Sequence, residues 1–356
     1  MRLFGSDGRT HLDYDLILQN VFDAPVTVTS IEVLDPAGTS LLTLGREEVA
    51  AATGPILSGA TPTAEVAANS AVATVMDVVL PTGAVPERLT HRITYVTGES
   101  PSTSILGGDD IHGPDLVVDS RVPLTIGSPV RGSGWLNASS CCAAESAHRK
   151  VRLAVGGNSI KNVQEFAIDW TQLRDGKAAA GDGAHNEDYY AYGADLVAVA
   201  DGSVAAAVDG MPNQAPNTPR TGIQGPQDYP GNHVSLEVAP GVWAVYAHLQ
   251  PGSITVKPGD KVTRGQVIGK LGNSGNSGAP HLHFQLADGP DLLNSSSLPF
   301  SLESYRLLGS VDPAMLQEDD PEVTLTGPSG PQQATYPLVY TVIDVGSAGA
   351  TSGGRP

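Results

Sequence analysis

The sequence predicts an all-β protein of two or three domains. Apolar and polar side chains alternate over short runs along most of the 356 residues, and turn-forming clusters separate these runs. Glycine (41 residues) and proline (27 residues) are abundant, and aromatic residues make up only 5% of the chain. This composition favours short strands joined by turns, and no segment shows a strong helical period.

Residues 1–127 are predicted to form an antiparallel β-sandwich that is immunoglobulin-like in general shape. The apolar phase changes between Val28 and Ile31, which predicts a β-bulge. A strict period of two marks three later runs, 70–80, 89–95 and 116–126. The histidines of this segment are scattered and are assigned structural or surface roles: His11, His91 and His112.

Residues 128–150 are predicted to be a linker rich in glycine, serine and alanine, and residues 151–310 a second β domain. Within that domain, residues 175–192 and 209–230 form long polar loops, which are usually functional or mobile in compact β domains. Residues 311–356 are predicted to be a C-terminal extension that ends in ten disordered residues.

The charge and the apolar content exclude several classes of protein. The formal net charge is −18, so the chain repels phosphate backbones and no nucleic-acid partner is predicted. No run of 18 apolar residues occurs, so no membrane span is predicted. Residues 1–20 contain three aspartates and no apolar stretch, so no signal peptide is predicted. Nothing in the sequence indicates an oligomeric state.

The two cysteines, Cys141 and Cys142, are adjacent. They are predicted to be free thiols, because a disulfide between neighbouring residues is strained and rare.

Histidines recur on predicted strands of the second domain. Side chains two apart share one face of a strand, so His281 and His283 are neighbours. In the run 242–249, the odd-numbered side chains, which include Trp243, are the bulkier apolar set and are predicted to face the core. His248 belongs to the even-numbered set and is predicted to point away from the core.

Carboxylates follow the same parity in the run 165–170, where Glu165, Ala167 and Asp169 share a face opposite three apolar side chains. If these strands meet, their faces supply imidazole and carboxylate groups, which are ligands suited to zinc. A His-x-His pair also occurs by chance on protein surfaces, and periodicity alone does not show that the strands meet.

Five short motifs follow one another at close spacing: Gly-Asn-His-Val (231–234), Tyr-Ala-His-Leu (246–249), Gly-Asp-x-Val-x-x-Gly-Gln (259–266), Asn-Ser-Gly-Asn-Ser (273–277) and Pro-His-Leu-His-Phe (280–284). In this order they resemble the lysostaphin-type (LytM-like) zinc metalloendopeptidases over roughly residues 150–310. The third motif is weak, because biotinyl and lipoyl carrier domains use a similar turn. The histidine motifs are the specific part of the resemblance.

The resemblance implies a LytM-like β-sheet/barrel-sandwich fold and a role for each matched residue. Asp169 and His283 match zinc ligands, and His248 and His281 match two histidines that polarise the metal-bound water and stabilise the oxyanion. It implies a zinc-dependent endopeptidase with one Zn²⁺ per chain, acting on peptidoglycan or related peptides. It also implies a secreted, periplasmic or cell-wall-associated location.

The segment Gln-Glu-Phe-Ala-Ile-Asp (164–169) departs from the family motif His-x-Gly-x-Asp and resembles a subgroup with Gln-x-Phe-Ala-Ile-Asp. Glu165 stands where the first zinc-ligating histidine is expected. Three outcomes stay open: Glu165 binds the metal, another histidine does, or the site is a metal-free binding groove. The candidate histidines are His148, His185 and His233.

Four residues are candidates for substrate binding: Tyr189, Tyr190, Tyr192 and His233. The tyrosines lie in the loop 175–192 and offer rigid aromatic contact area. The alternative to an enzyme is a degenerate, non-catalytic LytM-like module that binds peptidoglycan or regulates another hydrolase, which the missing histidine favours. A lipoyl-type carrier is a third alternative, but the nearby lysines lack the flanking residues of a modified lysine.

Overall fold

The computed structural model describes the following residues: 1–56, 62–81, 83, 85–153, 161–317 and 322–346. The chain forms two compact units, the first from Met1–Pro123 and Cys141–Asn162 and the second from Leu124–Ser140 and Val163–Pro356. The predicted all-β class is confirmed, because strands dominate both units. In the described ranges, no helix is long and apolar enough to cross a bilayer.

The elements of the first 117 residues are, in chain order, β1 (Arg2–Phe4), β2 (Thr10–Gln19), β3 (Val26–Leu34), β4 (Ser40–Leu44), α1 (Arg46–Ala52), β5 (Thr53–Pro55), β6 (Glu65–Val66), β7 (Ala71–Leu80), β8 (Arg88–Thr97), α2 (Pro101–Leu106), β9 (Asp110–His112) and β10 (Leu116–Val117). They form two antiparallel sheets. One has the order β1-β2-β7-β5, and the other has the order β10-β8-β3-β4, with β6 paired to β3 and β9 to β8.

The later strands are β11 (Leu124–Ile126), β12 (Gly132–Ser139), β13 (Arg152–Leu153), β14 (Lys161–Asn162), β15 (Ile168–Gln172), β16 (Asp195–Val197), β17 (Gly202–Val208), β18 (Asn232–Ala239), β19 (Val242–Leu249), β20 (Lys261–Val262), β21 (Val267–Lys270), β22 (Leu282–Ala287), β23 (Ser297–Leu298), β24 (Phe300–Ser310), β25 (Gly330–Thr335) and β26 (Thr341–Val345). Four single-turn 3₁₀ helices accompany them: η1 (Ala147–Lys150), η2 (Asn186–Asp188), η3 (Pro226–Asp228) and η4 (Met315–Gln317).

The two larger sheets of the first unit share one apolar core, and β13 and β14 form a third, two-stranded sheet. The largest side chains of the core include Leu12 of β2, Ile31 of β3 and Met76 of β7, each at most 2% exposed. The predicted bulge is confirmed, since the β3–β8 register shifts between Val28 and Ser30. The immunoglobulin-like topology remains a prediction.

The alternating run 116–126 is not one strand. β10 ends at Val117, Val122 is 81% exposed, and β11 pairs in parallel with β24 in the second unit. Residues 118–123 pair with no neighbouring strand, so the alternation of their side chains does not mark a strand.

Residues of the segment 141–153 contact the outer face of β2. Arg149 donates from Nε to Asp13 Oδ2 at 3.1 Å, and its Nη2 lies 2.7 Å from Oδ1 of the same buried carboxylate. Arg152 donates two hydrogen bonds to Asp15, both at 2.8 Å. These bidentate ion pairs account for the presence of this segment in the first unit.

Cys141 and Cys142 form a disulfide, and both residues are buried. The prediction of free thiols is therefore wrong. Adjacency, which made the bond improbable from sequence statistics, also holds the two sulfur atoms within bonding distance.

The second unit contains a twelve-stranded sheet with the order β11-β24-β26-β12-β15-β22-β19-β18-β17-β20, in which β23 pairs with β22 and β25 with β24. A separate two-stranded sheet joins β16 and β21. Residues 128–150 and 311–356 contribute β12, β25 and β26 to the large sheet. The boundaries at 127, 150 and 310 remain predictions, and the ten terminal residues predicted to be disordered lie outside the described ranges.

A row of four fully buried aromatic rings supports the middle of this sheet. Tyr246, Phe284, Phe300 and Tyr336 contact one another in sequence, edge to face, with ring centroids 5.1–5.5 Å apart. Edge-to-face pairs of this kind stabilise beyond the area that they bury. The strands that carry the candidate site, β15, β22 and β19, therefore have a rigid base.

Candidate active site

Three neighbouring strands place the site residues in register. Asp169 on β15 is opposite His283 on β22, and His283 is opposite Ala247 on β19. Residues directly opposite in an antiparallel pair share a face, so Asp169 and His283 lie together. Phe284 and Tyr246 are paired on the other face, which is the core face.

This register corrects the predicted orientation of β19. Tyr246 is fully buried against Phe284, so its face, and not that of Trp243, packs on the aromatic core. Strict alternation from Tyr246 would therefore point His248 away from His283. The prediction that these histidines share a face needs a different physical cause.

A β-bulge supplies that cause. Asn232 of β18 pairs with Leu249, whereas Val234 pairs with Tyr246, so two residues of β19 oppose one residue of β18. His248 lies in the bulge with φ of +67°. A non-glycine residue in this left-handed region is strained, and such strain is typical of functional sites. The bulge places the centroid of the His248 ring 4.8 Å from that of the His281 ring and 6.1 Å from that of the His283 ring.

Gln285 determines which nitrogen of His283 faces Asp169. The Gln285 amide nitrogen donates to the carbonyl of Val163 at 3.2 Å, so its Oε1 is the atom 3.0 Å from His283 Nε2. An amide oxygen accepts only, so His283 Nε2 carries a proton. His283 Nδ1 lies 3.0 Å from Asp169 Oδ1. Two electron-pair donors at this distance require a cation between them, either a proton or a metal ion.

Backbone carbonyls fix the other two rings in a common arrangement. His248 Nδ1 donates to the carbonyl of Ser274 and His281 Nδ1 to that of Ala279, each at 2.8 Å. A neutral imidazole then has its lone pair on Nε2. His281 Nε2 is 3.6 Å from Asp169 Oδ1, which directs it toward the carboxylate.

The His248 ring is held neutral. Burial, with the neighbouring His281 and His283 rings, keeps the pKa of His248 well below its ordinary value of 6.5. Burial disfavours the charged imidazolium, and like charges nearby add to this effect. His248 can therefore accept a proton at neutral pH.

The pair Asp169–His283 fits two ligands of a zinc ion. Its N···O distance of 3.0 Å is close to the separation of about 3.3 Å expected for tetrahedral ligands with bonds of about 2.0–2.1 Å. Gln285 provides the acceptor that metal-binding histidines usually have at the other ring nitrogen.

Glu165 lies in the turn 163–166, before β15 begins at Ile168. The parity that would put Glu165 on the face of Asp169 therefore does not apply, and the described residues show no group that joins it to Asp169 and His283. Sequence alternation could not reveal this, since a turn and a strand can carry the same pattern.

The structure describes the other three candidate ligands as follows. His148 is a buried residue of η1 in the first unit. His185 is exposed and precedes η2. His233, on β18, donates from Nδ1 to the carbonyl of Gly231 at 2.8 Å, and burial lowers its pKa. The role of each as a ligand stays a prediction.

The three tyrosines hold the loop 175–192 in place. Tyr189 accepts a hydrogen bond from Asn217 at 3.2 Å, and Tyr192 accepts one from Asn213 at 2.9 Å. The ring of Tyr190 lies 4.7 Å from the Arg174 guanidinium carbon. The structure therefore gives each tyrosine a contact within the loops, and substrate binding by these residues and by His233 stays a prediction.

Buried amides beside the site were missed at the sequence level. Asn273, assigned only to a turn, is fully buried and donates to Asn186 at 2.9 Å and to the Gln214 carbonyl at 3.1 Å. Gln285 is also fully buried. A signal was present for Gln285, since a glutamine two residues after His283 has the parity of the site face.

The sequence model of Peptidase family M23 matches residues 189–295. A 58-residue stretch is 45% identical to the Peptidoglycan DD-endopeptidase ShyA of Vibrio cholerae serotype O1, covering 16% of this chain and 13% of that protein. Another 58-residue stretch is 48% identical to the Glycyl-glycine endopeptidase ALE-1 of Staphylococcus capitis, covering 15% of each. The chain thus spans less than a sixth of each of these curated relatives, and Asp169 precedes the family match.

Solved structures of related peptidases were also found. The catalytic domain of lysostaphin from Staphylococcus simulans is 24% identical with a TM-score of 0.22, covering 34% of this chain and 84% of that one. The catalytic domain of the M23 protein EnpA from Enterococcus faecalis is 22% identical with a TM-score of 0.26, covering 49% and 93%. Residues 189–295 are thus similar to Peptidase family M23, and both curated relatives are named endopeptidases.

Proposed function

We propose that the second unit is a zinc-dependent endopeptidase that cleaves peptide bonds of peptidoglycan or related peptides. The observation that carries this proposal is the meeting of Asp169, His248, His281 and His283 on one side of three neighbouring strands. A module that only binds peptides does not need two ring nitrogens held as acceptors beside a carboxylate–imidazole pair.

Each residue has a role that follows from its contacts. Asp169 and His283 would hold a zinc ion, which when bound lowers the pKa of its water to ~7 and polarises the scissile carbonyl. His248 is neutral and accepts the proton of the attacking water at Nε2. His281, fixed through Nδ1, would stabilise the negative charge that develops on the carbonyl oxygen when its Nε2 carries a proton. His248 then passes the proton that it took from the water to the leaving amine.

The identity of the third ligand belongs to the same proposal. The candidates remain Glu165, His148, His185 and His233. We also propose that the segment 164–169 marks a subgroup in which Gln-x-Phe-Ala-Ile-Asp replaces the usual first motif. A non-catalytic module that binds peptidoglycan is the alternative, and the position of Glu165 in a turn is the observation that favours it.

The substrate is proposed from the relatives' names and from the chemistry of the site. One relative is named a peptidoglycan DD-endopeptidase and the other a glycyl-glycine endopeptidase. We therefore propose peptide bonds of the bacterial cell wall, and a secreted, periplasmic or cell-wall-associated location.

The test combines metal content with cleavage. The full chain is dialysed with zinc, its metal is quantified, and it is incubated with purified peptidoglycan while newly formed amines are identified by mass spectrometry. We expect one zinc per chain and new amines. His283→Ala should lose the metal and the activity, whereas His281→Ala should keep the metal and lose activity at least about a hundredfold.

The same measurements identify the third ligand and separate the alternatives. Metal loss in only one of Glu165→Ala, His148→Ala, His185→Ala and His233→Ala would name that ligand. A chain that stays metal-free after zinc dialysis and releases no amine would overturn the enzyme proposal and leave the binding module.

A further inference from the structure

The loop 214–221 is closed at its base by one buried side chain. Gln214 is 5% exposed, and its amide donates to the Thr221 carbonyl and accepts from the Thr221 amide, both at 2.9 Å. The Gln214 backbone also donates to the Asn273 carbonyl at 2.7 Å. Arg220, which directly precedes Thr221, therefore extends from an anchored loop.

This loop contacts the segment that leads into His281. The Asn217 amide donates to the Gly278 carbonyl at 2.8 Å. A Cβ built on Gly278 would lie 2.6 Å from the Arg220 guanidinium nitrogen Nη2, so the guanidinium lies directly over Gly278. Ser277 Oγ is 3.2 Å from His281 Nδ1, so this segment also folds back on the site histidine.

The distance from Gly278, which Arg220 covers, to His281 is no longer than a few residues of an extended peptide. Gly278 precedes His281 by three residues, which span at most about 11 Å even when fully extended. A bound peptide also covers about 3.3–3.6 Å per residue. A group held by Arg220 would thus lie within about three residues of a peptide bond at His281.

The charge of Arg220 is available to a ligand. Arg220 is exposed, and none of the described residues is seen to form an ion pair with it. Two other cations of this unit are paired, Lys270 with Asp195 at 2.8 Å and Arg264 with Glu303. A guanidinium presents two parallel donors that match a carboxylate, and an anchored loop reduces the entropy lost on binding.

We propose that Arg220 is a substrate-binding residue that selects peptides with a free carboxylate within about three residues downstream of the cleaved bond. The inference rests on the proposed function and narrows its substrate class. A carboxylate near the cleaved bond is a feature of uncapped peptide ends, and an interior glycine bridge lacks it. Because the overall charge of −18 repels anionic peptides, a local cation has to offset that repulsion.

The test uses one synthetic peptide that contains the bond cleaved in the peptidoglycan experiment. The peptide ends two residues downstream of that bond, in one form with a free α-carboxylate and in the other with a carboxamide. In the wild-type chain, we expect the amide form to lower kcat/KM at least about tenfold, through KM. Arg220→Gln should remove this difference, and Arg220→Lys should keep part of it. Arg306→Gln is the matched control, since Arg306 is an exposed arginine on β24 of the same unit, and it should keep the full difference.

Binding of the same two peptides, measured by calorimetry, separates the inference from the proposed function. If neither peptide is cleaved, the enzyme proposal fails, and the ratio of the two Kd values in wild-type and Arg220→Gln chains decides the role of Arg220. A wild-type chain that treats both peptides equally overturns the inference. An Arg220→Gln variant that discriminates as well as Arg306→Gln overturns it too.

Discussion

At the scale of single residues, acceptors outside the rings decide the chemistry of the histidines. His248 and His281 each donate from Nδ1 to a backbone carbonyl, whereas His283 donates from Nε2 to Gln285. The first two therefore have the lone pair on Nε2, and His283 has it on Nδ1. Two rings suited to proton transfer thus lie beside one ring suited to a metal.

Gln285→Leu should weaken zinc binding about 10–100-fold, because the loss of the acceptor frees His283 to adopt the tautomer that protonates Nδ1. Gln285→Glu keeps an acceptor and should retain most of the affinity. The Kd is measured by competition with a chelator. Nitrogen NMR of the zinc-free protein then reports the His283 tautomer, which a merely structural role of Gln285 would not change.

Gln172→Leu is the control for this change. Gln172 also donates from its amide to a backbone carbonyl, that of Ser133 at 2.8 Å, and it lies on the same strand as Asp169. Gln172→Leu should leave the zinc affinity unchanged. Equal losses of affinity in Gln172→Leu and Gln285→Leu would show that general loosening of the sheet is the cause.

At the scale of elements, the sequence predicted the strands well and their local irregularities less well. The period of two located β7 and β8, and the phase change in β3 located a bulge. The bulge at His248 has no such signature, because β19 is buried almost throughout and both of its faces are apolar. The turn at Glu165 is equally hidden, since its pattern continues that of β15.

Long-range contacts between loops are also outside what a pattern can show. Asn273 joins the loop 175–192 through Asn186 and the loop 209–230 through Gln214. The backbone amide of Asn273 also donates to the side-chain oxygen of Asn213 at 2.9 Å. One buried side chain thus connects three loops that border the site.

Asn273→Ala should therefore release these loops without emptying the metal site. The change removes the donor of Asn186 Oδ1, whereas the Gln214 carbonyl keeps the Asn186 amide at 2.9 Å. The lost hydrogen bonds cost about 1–3 kcal/mol of stability. Hydrogen exchange should rise in 175–192 and 209–230, while zinc content stays unchanged because Asp169 and His283 lie on strands. Asn276→Ala, at an exposed position three residues later, should change neither quantity, and unchanged exchange in Asn273→Ala would contradict the connection.

At the scale of the whole molecule, ion pairs assign part of the chain to an unexpected unit. The outer face of β2 carries Asp13 and Asp15, and the sequence gives no hint that arginines some 135 positions later cover them. Composition suggested a linker for this segment because it is rich in small residues. Its membership in the first unit depends on Arg149 and Arg152, whose partners only the folded chain reveals.

The pair Arg149–Asp13 is fully buried, since both side chains are 0% exposed. Arg149→Met should lower the free energy of unfolding of the first unit by about 3–5 kcal/mol, because it leaves an uncompensated buried carboxylate. The double variant Asp13→Val/Arg149→Met should lose less than Arg149→Met alone. All three tryptophans, Trp135, Trp170 and Trp243, lie in the second unit, so the measurement is hydrogen exchange of β2 and β7.

An exposed ion pair of the same unit provides the control. Arg88 and Asp115 are 3.4 Å apart, and their side chains are 56% and 51% exposed. Water already solvates both charges, so Arg88→Met should barely change the exchange of β2 and β7. Equal effects of Arg88→Met and Arg149→Met would show that the buried charges do not hold η1 against β2. A double variant whose loss is the sum of the losses in Asp13→Val and Arg149→Met would show the same. The expected result, a large single loss that the second substitution partly restores, would identify this ion pair as one of the contacts that join the two segments of the first unit.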